Sequence, residues 1–247
     1  MDTNDRAPLQ VVYTPEPITA AAELFEAVVG EAIAARGEAY VCISGGRTPL
    51  PLYAKLAAES DLAWDRVTFL FSDERFVPHT HPDSNYRSID TAFLGRLPRP
   101  PRSVLAWPIL GTLSESAAAY ARSIDELGAR GQLFDFTLLG IGADGHTASL
   151  FPGTGAALET GSTVAREVPS IGRRLSLSAP ALSDSRVVAF LVTGADKADA
   201  LRLNFPAAFG GTPDSQAAMD TPDAAPASAI TATERLLLVT DSLEPVT

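Results

Sequence analysis

The sequence predicts an α/β fold, a mainly parallel and doubly wound sheet flanked by helices, on three observations. Short apolar runs rich in β-branched and aromatic residues alternate along the chain with segments of helical period, the pattern of successive strand–helix–strand units. Glycine turns follow several of these runs directly, at Ser44-Gly45-Gly46, Gly140-Ile141-Gly142 and Thr193-Gly194, where a parallel strand hands over to its crossover. With 247 residues, 46% of them hydrophobic, the chain can bury a large core as a single domain over residues 1–247.

The elements follow in order. Strands are expected near residues 11–13, 39–43, 67–71, 134–139, 187–193 and 236–240, each an apolar run bounded by polar or glycine residues. Helices are expected over 18–35, where Leu24, Val28 and Ala32 share a face, and over 48–58, 114–127 and 195–203. Thr48-Pro49 reads as a helix opening, with threonine as cap and proline at the first helical position. Residues 97–102, with Pro98, Pro100 and Pro101, and residues 204–228, with Pro206, Pro213, Pro222 and Pro226, read as loops.

Charge and cysteine use exclude several classes. A net charge of −11 argues against nucleic acid or an anionic membrane as partner, because both would be repelled on average. The acidic, polar start Met1-Asp2-Thr3-Asn4-Asp5 has no basic then apolar signal pattern, and no stretch has the length of a membrane span. The expectation is a cytoplasmic monomer. Cys42, the single cysteine, sits between Val41 and Ile43 and reads as a buried core residue.

Chemistry is expected where strands end. After the 134–139 run comes Gly140-Ile141-Gly142-Ala143-Asp144-Gly145-His146. Here an imidazole follows an aspartate by two residues at a strand's carboxyl end, an arrangement suited to general base catalysis, with Gly142 and Gly145 allowing close approach to the backbone. The Gly-x-Gly-x-x-Gly spacing formally matches a dinucleotide fingerprint. Asp144 would repel a pyrophosphate, however, and Pro152-Gly153-Thr154-Gly155 breaks the chain before a crossover helix can form. Ser44, Gly45, Gly46, Arg47 and Thr48 form a turn whose amides and side chains can meet an anion, without the lysine and spacing of a nucleoside triphosphate loop. Asp73 and Arg75 follow the 67–71 run, and Asn85 offers a donor and an acceptor to a sugar hydroxyl, though it also suits a turn. Lys197, early in a helix where the dipole favours anions, and one of Arg173 and Arg174, which directly precede the alternating strand pattern Leu175-Ser176-Leu177-Ser178, add positive charge. His79-x-His81 has no companion ligand at convincing spacing and reads as a solvated loop, so no metal is expected.

Together these residues resemble the 6-phosphogluconolactonase family. The matching pieces are Ser44-Gly45-Gly46-Arg47-Thr48-Pro49, Asp73-Glu74-Arg75-Phe76-Val77-Pro78, Ser84-Asn85-Tyr86, the stretch from Leu139 through Gly142-Ala143-Asp144-Gly145-His146-Thr147-Ala148-Ser149-Leu150-Phe151-Pro152-Gly153, Thr193-Gly194-Ala195-Asp196-Lys197-Ala198 and Pro226-Ala227-Ser228-Ala229-Ile230. They stand in family order across nearly the whole chain. The resemblance implies a modified Rossmann-like fold, shared with glucosamine-6-phosphate deaminases, and a hydrolase of a phosphorylated sugar lactone that needs no metal or cofactor. The roles expected are His146 as base, Asp144 as its orienting partner, Arg75 at the developing oxyanion, and residues 44–48, Lys197 and Arg174 around the phosphate. Ser149 lacks the setting of a nucleophile.

Two competing readings stand beside this one. The deaminases resemble the chain except that their turn continues as Ala-Phe-Asn-Glu-Pro-Gly, whereas here Phe151 occupies the position of the acid, and a phenyl ring cannot move a proton. A regulatory domain that binds a sugar phosphate without turnover could use the same pocket, but no basic helix-turn-helix accompanies it.

Overall fold

Apolar runs that read as strands become one parallel sheet, and the polar segments between them build a second, smaller sheet over its working edge. The computed structural model describes residues 7–129, 131–210 and 221–246. In chain order the elements are β1 (Leu9–Tyr13), α1 (Pro17–Arg36), β2 (Ala39–Ile43), α2 (Leu50–Glu59), β3 (Val67–Phe71), β4 (Asp73–Arg75), α3 (Asn85–Ala92), β5 (Ser103–Leu105), α4 (Leu113–Gly128) and β6 (Phe134–Leu139). There follow β7 (Thr163–Val168), β8 (Gly172–Leu177), α5 (Ala179–Ser183), β9 (Ser185–Val192), α6 (Ala198–Asn204), α7 (Pro206–Phe209) and β10 (Arg235–Thr240).

The large sheet has seven strands in the order β1-β10-β9-β6-β2-β3-β5, all paired in parallel. Strands such as β6 and β3 are buried at every position, as expected of strands covered on both faces. α1 lays Ala21, Phe25, Val28, Val29 and Ala32 against the sheet. It stops at Gly37, whose φ of 80° is the left-handed conformation that lets its N–H return to the Ile33 carbonyl at 2.8 Å. α4 opens with a reciprocal cap in which Thr112 and Glu115 each accept from the other's backbone. Phe25, Trp64, Phe69, Phe93 and Phe136 interlock between layers with ring centroids 5.3–6.3 Å apart. Truncating one of these, such as the fully buried Phe25, costs about 3–5 kcal/mol.

The topology fixes where a ligand can enter. From β2 the chain proceeds through α2 to β3 on one side, while from β6 it proceeds to β9 on the other. β2 and β6 are neighbours, joined at Val41↔Phe136 and Cys42↔Thr137. Their carboxyl ends diverge, and a crevice opens between them, the position at which open α/β sheets take ligands. The other sheet, β4-β8-β7, is antiparallel. It is tied to the end of β3 by the Leu177 N–H donating to the Ser72 carbonyl at 2.7 Å.

Several expectations are corrected. Thr48 does not cap α2: the helix begins at Leu50, Pro49 occupies the capping position without a side-chain bond, and Pro51 is the proline in the first turn. Asn85 is not in a turn but begins α3, capped by Ser84. Lys197 ends a single 3-10 turn, Ala195–Lys197, ahead of α6. Arg174 lies within β8 rather than before it. Within the loop expected over residues 204–228, residues 211–220 lie outside the described residues, while Pro206–Phe209 is helical and Pro226–Ala229 forms a 3-10 turn. Cys42 is fully buried, and burial pushes its thiol far above the usual range.

Candidate active site

A cavity of about 660 Å³ fills the crevice, walled by the turn after β2, the turn after β6, the start of β4 and α3, and the ends of β9 and β10. It brings together His146, Arg75, Ser44, Gly45, Gly46, Arg47, Thr48, Asp73, Asn85, Gly142 and Lys197, drawn from segments far apart in sequence. Asp144, Gly145 and Arg174 do not line it.

The β6 turn holds its imidazole tightly. The Gly142 N–H donates to the His146 carbonyl at 2.8 Å and the Gly145 N–H to the Gly142 carbonyl at 3.0 Å, and Gly145 takes φ 88° to make the turn. Gly142 is required for space rather than for φ: a Cβ there would stand 2.2 Å from the His146 ring and 2.5 Å from Asp144 Oδ1. Asp144 Oδ1 lies 2.5 Å from His146 Nδ1 and also accepts from the His146 backbone N–H at 3.3 Å. Burial pushes the Asp144 carboxyl upward, but the His146 charge and these hydrogen bonds outweigh it and hold the group below the ordinary carboxylate range. With Nδ1 engaged, Nε2 is the ring nitrogen without a protein partner among the described residues. The ring's other flank meets Phe151, 6% exposed, at a centroid distance of 4.5 Å.

The β2 turn is open by contrast. Gly46 takes φ 98° with nothing within 4 Å of a would-be Cβ, and Arg47 is exposed without a hydrogen bond or ion pair among the described residues. Gly45 packs directly on Asn85, whose Oδ1 would lie 2.0 Å from a Cβ at that position.

The start of β4 ties these walls together. Asp73 accepts from Ser149 Oγ at 2.7 Å, Asn85 Nδ2 at 3.2 Å and Ser72 Oγ at 3.2 Å. Ser149 is 2% exposed, faces Asp73 and does not line the cavity, so its hydroxyl is not presented as a nucleophile. Glu74, 1% exposed, accepts from the Arg75, Asn85 and Tyr86 amides and from Ser84 Oγ at 2.7–2.9 Å, anchoring the start of α3. Burial nonetheless leaves its carboxyl above the usual value.

Arg75 lines the cavity and donates to the Asp83 carbonyl. Its antiparallel partner is Arg174, directly opposite and therefore on the same sheet face. Burial first, and the Arg75 charge second, lower the Arg174 guanidinium from its usual value, against the pull of Asp73, Asp83 and Glu74. Arg173 turns the other way, 4.5 Å over the Phe76 ring. Lys197 stands 3.3 Å from Asp196, and the next turn is pinned by the Gly194 N–H donating to Asp241 at 2.9 Å. The lining is thus not simply cationic: Arg47, Arg75 and Lys197 face Glu16, Asp73, Asp196 and Asp241. Glu16, Ala148 and Asp241 escaped the sequence reading. Asp241 directly follows β10, so the strand-end rule that selected the other turns would have found it. His79 Nε2 lies 2.9 Å from the Trp107 carbonyl and its ring stacks on Tyr86, which accounts for that motif structurally.

A parallel Rossmann-like sheet with an aspartate–histidine pair and two glycine turns around its switch-point crevice defines an enzyme-type α/β protein. The chain belongs to the family of glucosamine-6-phosphate isomerases and 6-phosphogluconolactonases, which it matches over residues 14–238. It is 37% identical over 185 residues to a 6-phosphogluconolactonase of Synechocystis, covering 70% of this chain and 74% of that one. It is also 37% identical over 202 residues to a 6-phosphogluconolactonase of Streptomyces coelicolor, covering 74% and 76%. The crystal structure of a 6-phosphogluconolactonase from Thermotoga maritima superposes with a TM-score of 0.79 at 26% identity, covering 95% of this chain and 99% of the other. Among the described residues no helix is long and apolar enough to cross a membrane.

Proposed function

We propose that this protein hydrolyses 6-phospho-D-glucono-1,5-lactone to 6-phosphogluconate, with His146 as general base. The observation that carries the reading is the Asp144–His146 pair at the switch-point cavity: the carboxylate accepts the Nδ1 proton, which leaves the lone pair of the neutral imidazole on Nε2. As water attacks the lactone carbonyl, Nε2 takes its proton and the carbonyl π pair moves onto oxygen. Collapse breaks the bond to the ring oxygen, which leaves with the proton returned from Nε2. Asp144 stabilises the intervening imidazolium. Arg75 and the amides of the glycine turns meet the oxyanion, and Arg47, Thr48 and Lys197 surround the phosphate. The scheme involves no covalent intermediate, metal or cofactor. With it goes a single-domain, cytoplasmic monomer acting on a small molecule rather than on nucleic acid or membrane.

The relatives' shared activity supports this reading, and Phe151 speaks against amine chemistry, since it lays an apolar ring on the imidazole where an acid would be needed. Acid release from freshly prepared lactone, measured above the spontaneous rate, tests it, with ammonia release from glucosamine 6-phosphate as the competing assay. Acceleration of the first alone is expected. Acceleration of the second alone, or of neither, would overturn the proposal in favour of a deaminase or of a binding module.

A further inference from the structure

Asn204, the last residue of α6, is fully buried and engages both ends of its amide. Nδ2 donates to the Gly145 carbonyl at 3.3 Å and to the Ala200 carbonyl at 3.0 Å, and Oδ1 accepts from the Ala227 N–H at 2.9 Å. These partners fix which end of the amide is oxygen, since only the NH2 group can serve two carbonyls and only the oxygen can serve an N–H. Three segments far apart in sequence therefore meet on one side chain: the turn after β6, the helix that follows Lys197, and the 3-10 turn Pro226–Ala229. The approach is close, for a Cβ on Gly145 would stand 3.1 Å from Nδ2.

The Gly145 carbonyl belongs to the peptide that leads into His146. On the opposite edge of that plane the His146 N–H donates to Asp144 Oδ1 at 3.3 Å, so the rigid planar unit is gripped from both edges, by Asp144 on one and Asn204 on the other. The direction in which the His146 side chain leaves the backbone follows from that plane. We propose that Asn204 is a positioning residue for the base: it holds the peptide that sets the imidazole against the cavity and ties it to the helix that starts beside Lys197. Asp144 orients the ring at Nδ1 but is itself half in water, whereas the Asn204 bonds lie in the core, where no water competes for them. The far end of the brace is anchored as well. Close to Ala227 in sequence, Asp223 accepts from the Gly153 and Gly155 N–H groups at 2.9 and 2.7 Å through its carbonyl and its carboxylate, in the loop that follows Phe151.

The inference rests on the lactone reading above, and its test separates the two. Lactone hydrolysis is measured for wild type, Asn204→Ala, His146→Ala and the double variant, with binding of 6-phosphogluconate alongside. Asn204→Ala is expected to lower kcat about tenfold to 100-fold, with KM and 6-phosphogluconate affinity within about threefold of wild type. In the His146→Ala background the same change should alter the residual rate by less than about twofold, because a residue that acts through the imidazole then has nothing to act on. Nitrogen NMR of the three histidines adds a readout that lost stability alone would not move: the His146 ring signals should shift in Asn204→Ala while those of His79 and His81 stay in place. Asn204→Val, which fills more of the vacated space, is read in the same way should the alanine variant fail to fold. Wild-type kcat in a folded Asn204 variant, a rise in KM in place of a fall in kcat, an additive loss in the double variant, or unmoved His146 signals overturns the inference. Absence of turnover of the lactone by wild type overturns the activity itself.

Discussion

The two glycine turns that flank the β2/β6 crevice differ in how much of their structure is complete without a ligand. The β6 turn is closed on itself: Gly142 and Gly145 bond within it, Asp144 holds the His146 ring, and Phe151 covers one flank. The β2 turn is unfinished, with Arg47 unpartnered among the described residues and open space beside Gly46. A reacting group has to be held in place before substrate arrives, because misplacement by about 1 Å can cost on the order of 100-fold in rate. A binding group gains its partner from the substrate. On this reading, the closed turn performs the chemistry and the open turn supplies affinity.

Substitutions in the two turns should therefore fall on different kinetic constants. The largest effect is expected from His146→Ala, which removes the base and should lower kcat by about 10³-fold, within the range for general base catalysis. Its Tm should stay within a few degrees of wild type. Gly142→Ala comes next: the added methyl displaces the imidazole 2.2 Å away and should lower kcat about 100-fold while KM holds. A fall in KM-dependent terms alone would break the assignment. Asp144→Asn should lower kcat roughly tenfold to 100-fold by loosening the ring's tautomer and orientation.

The Asp144 substitution also carries a pH signature. The folded carboxyl lies below its ordinary value, so its stabilisation is fully present above the unfolded value of about 3.9 and is lost as pH falls through the folded one. The stability difference between wild type and Asp144→Asn in urea melts should be small at pH 7. It should be about 0.5 kcal/mol or less, since half of the Asp144 side chain is in water, and it should vanish on acidification. The smallest kinetic effect is expected from Arg47→Ala in the open turn, a rise in KM of about tenfold with kcat unchanged, shrinking as salt is added.

How far each part of the molecule could be read from the sequence follows the same divide between buried and exposed segments. β2, β3 and β6 fall where apolar runs place them, because a strand buried on both faces is apolar at most of its positions. The small antiparallel sheet was legible only in the alternation of residues 175–178, which overlaps β8: β4 is Asp-Glu-Arg, and β7 and the start of β8 carry Arg166, Glu167, Arg173 and Arg174. These strands are held by pairing to one another and to the end of β3, and their buried apolar residues, Val164, Val168, Leu175 and Leu177, are interspersed with polar and charged ones. β5, three residues at the sheet edge, is too short to register. The cavity residues were found because strand ends converge at a switch point. The roles of Ser149 and Glu74, which brace Asp73's neighbourhood and α3 from beneath, depend on tertiary contacts that no local pattern encodes.

The division of labour is tested most directly by measuring turnover and ligand affinity side by side in His146→Ala and Arg47→Ala, with calorimetric titration of 6-phosphogluconate beside lactone hydrolysis. The account predicts that His146→Ala binds 6-phosphogluconate within about threefold of wild type while losing turnover, and that Arg47→Ala keeps kcat while losing about tenfold in affinity. Retention of wild-type turnover without the imidazole, or loss of kcat rather than affinity without the guanidinium, would contradict it.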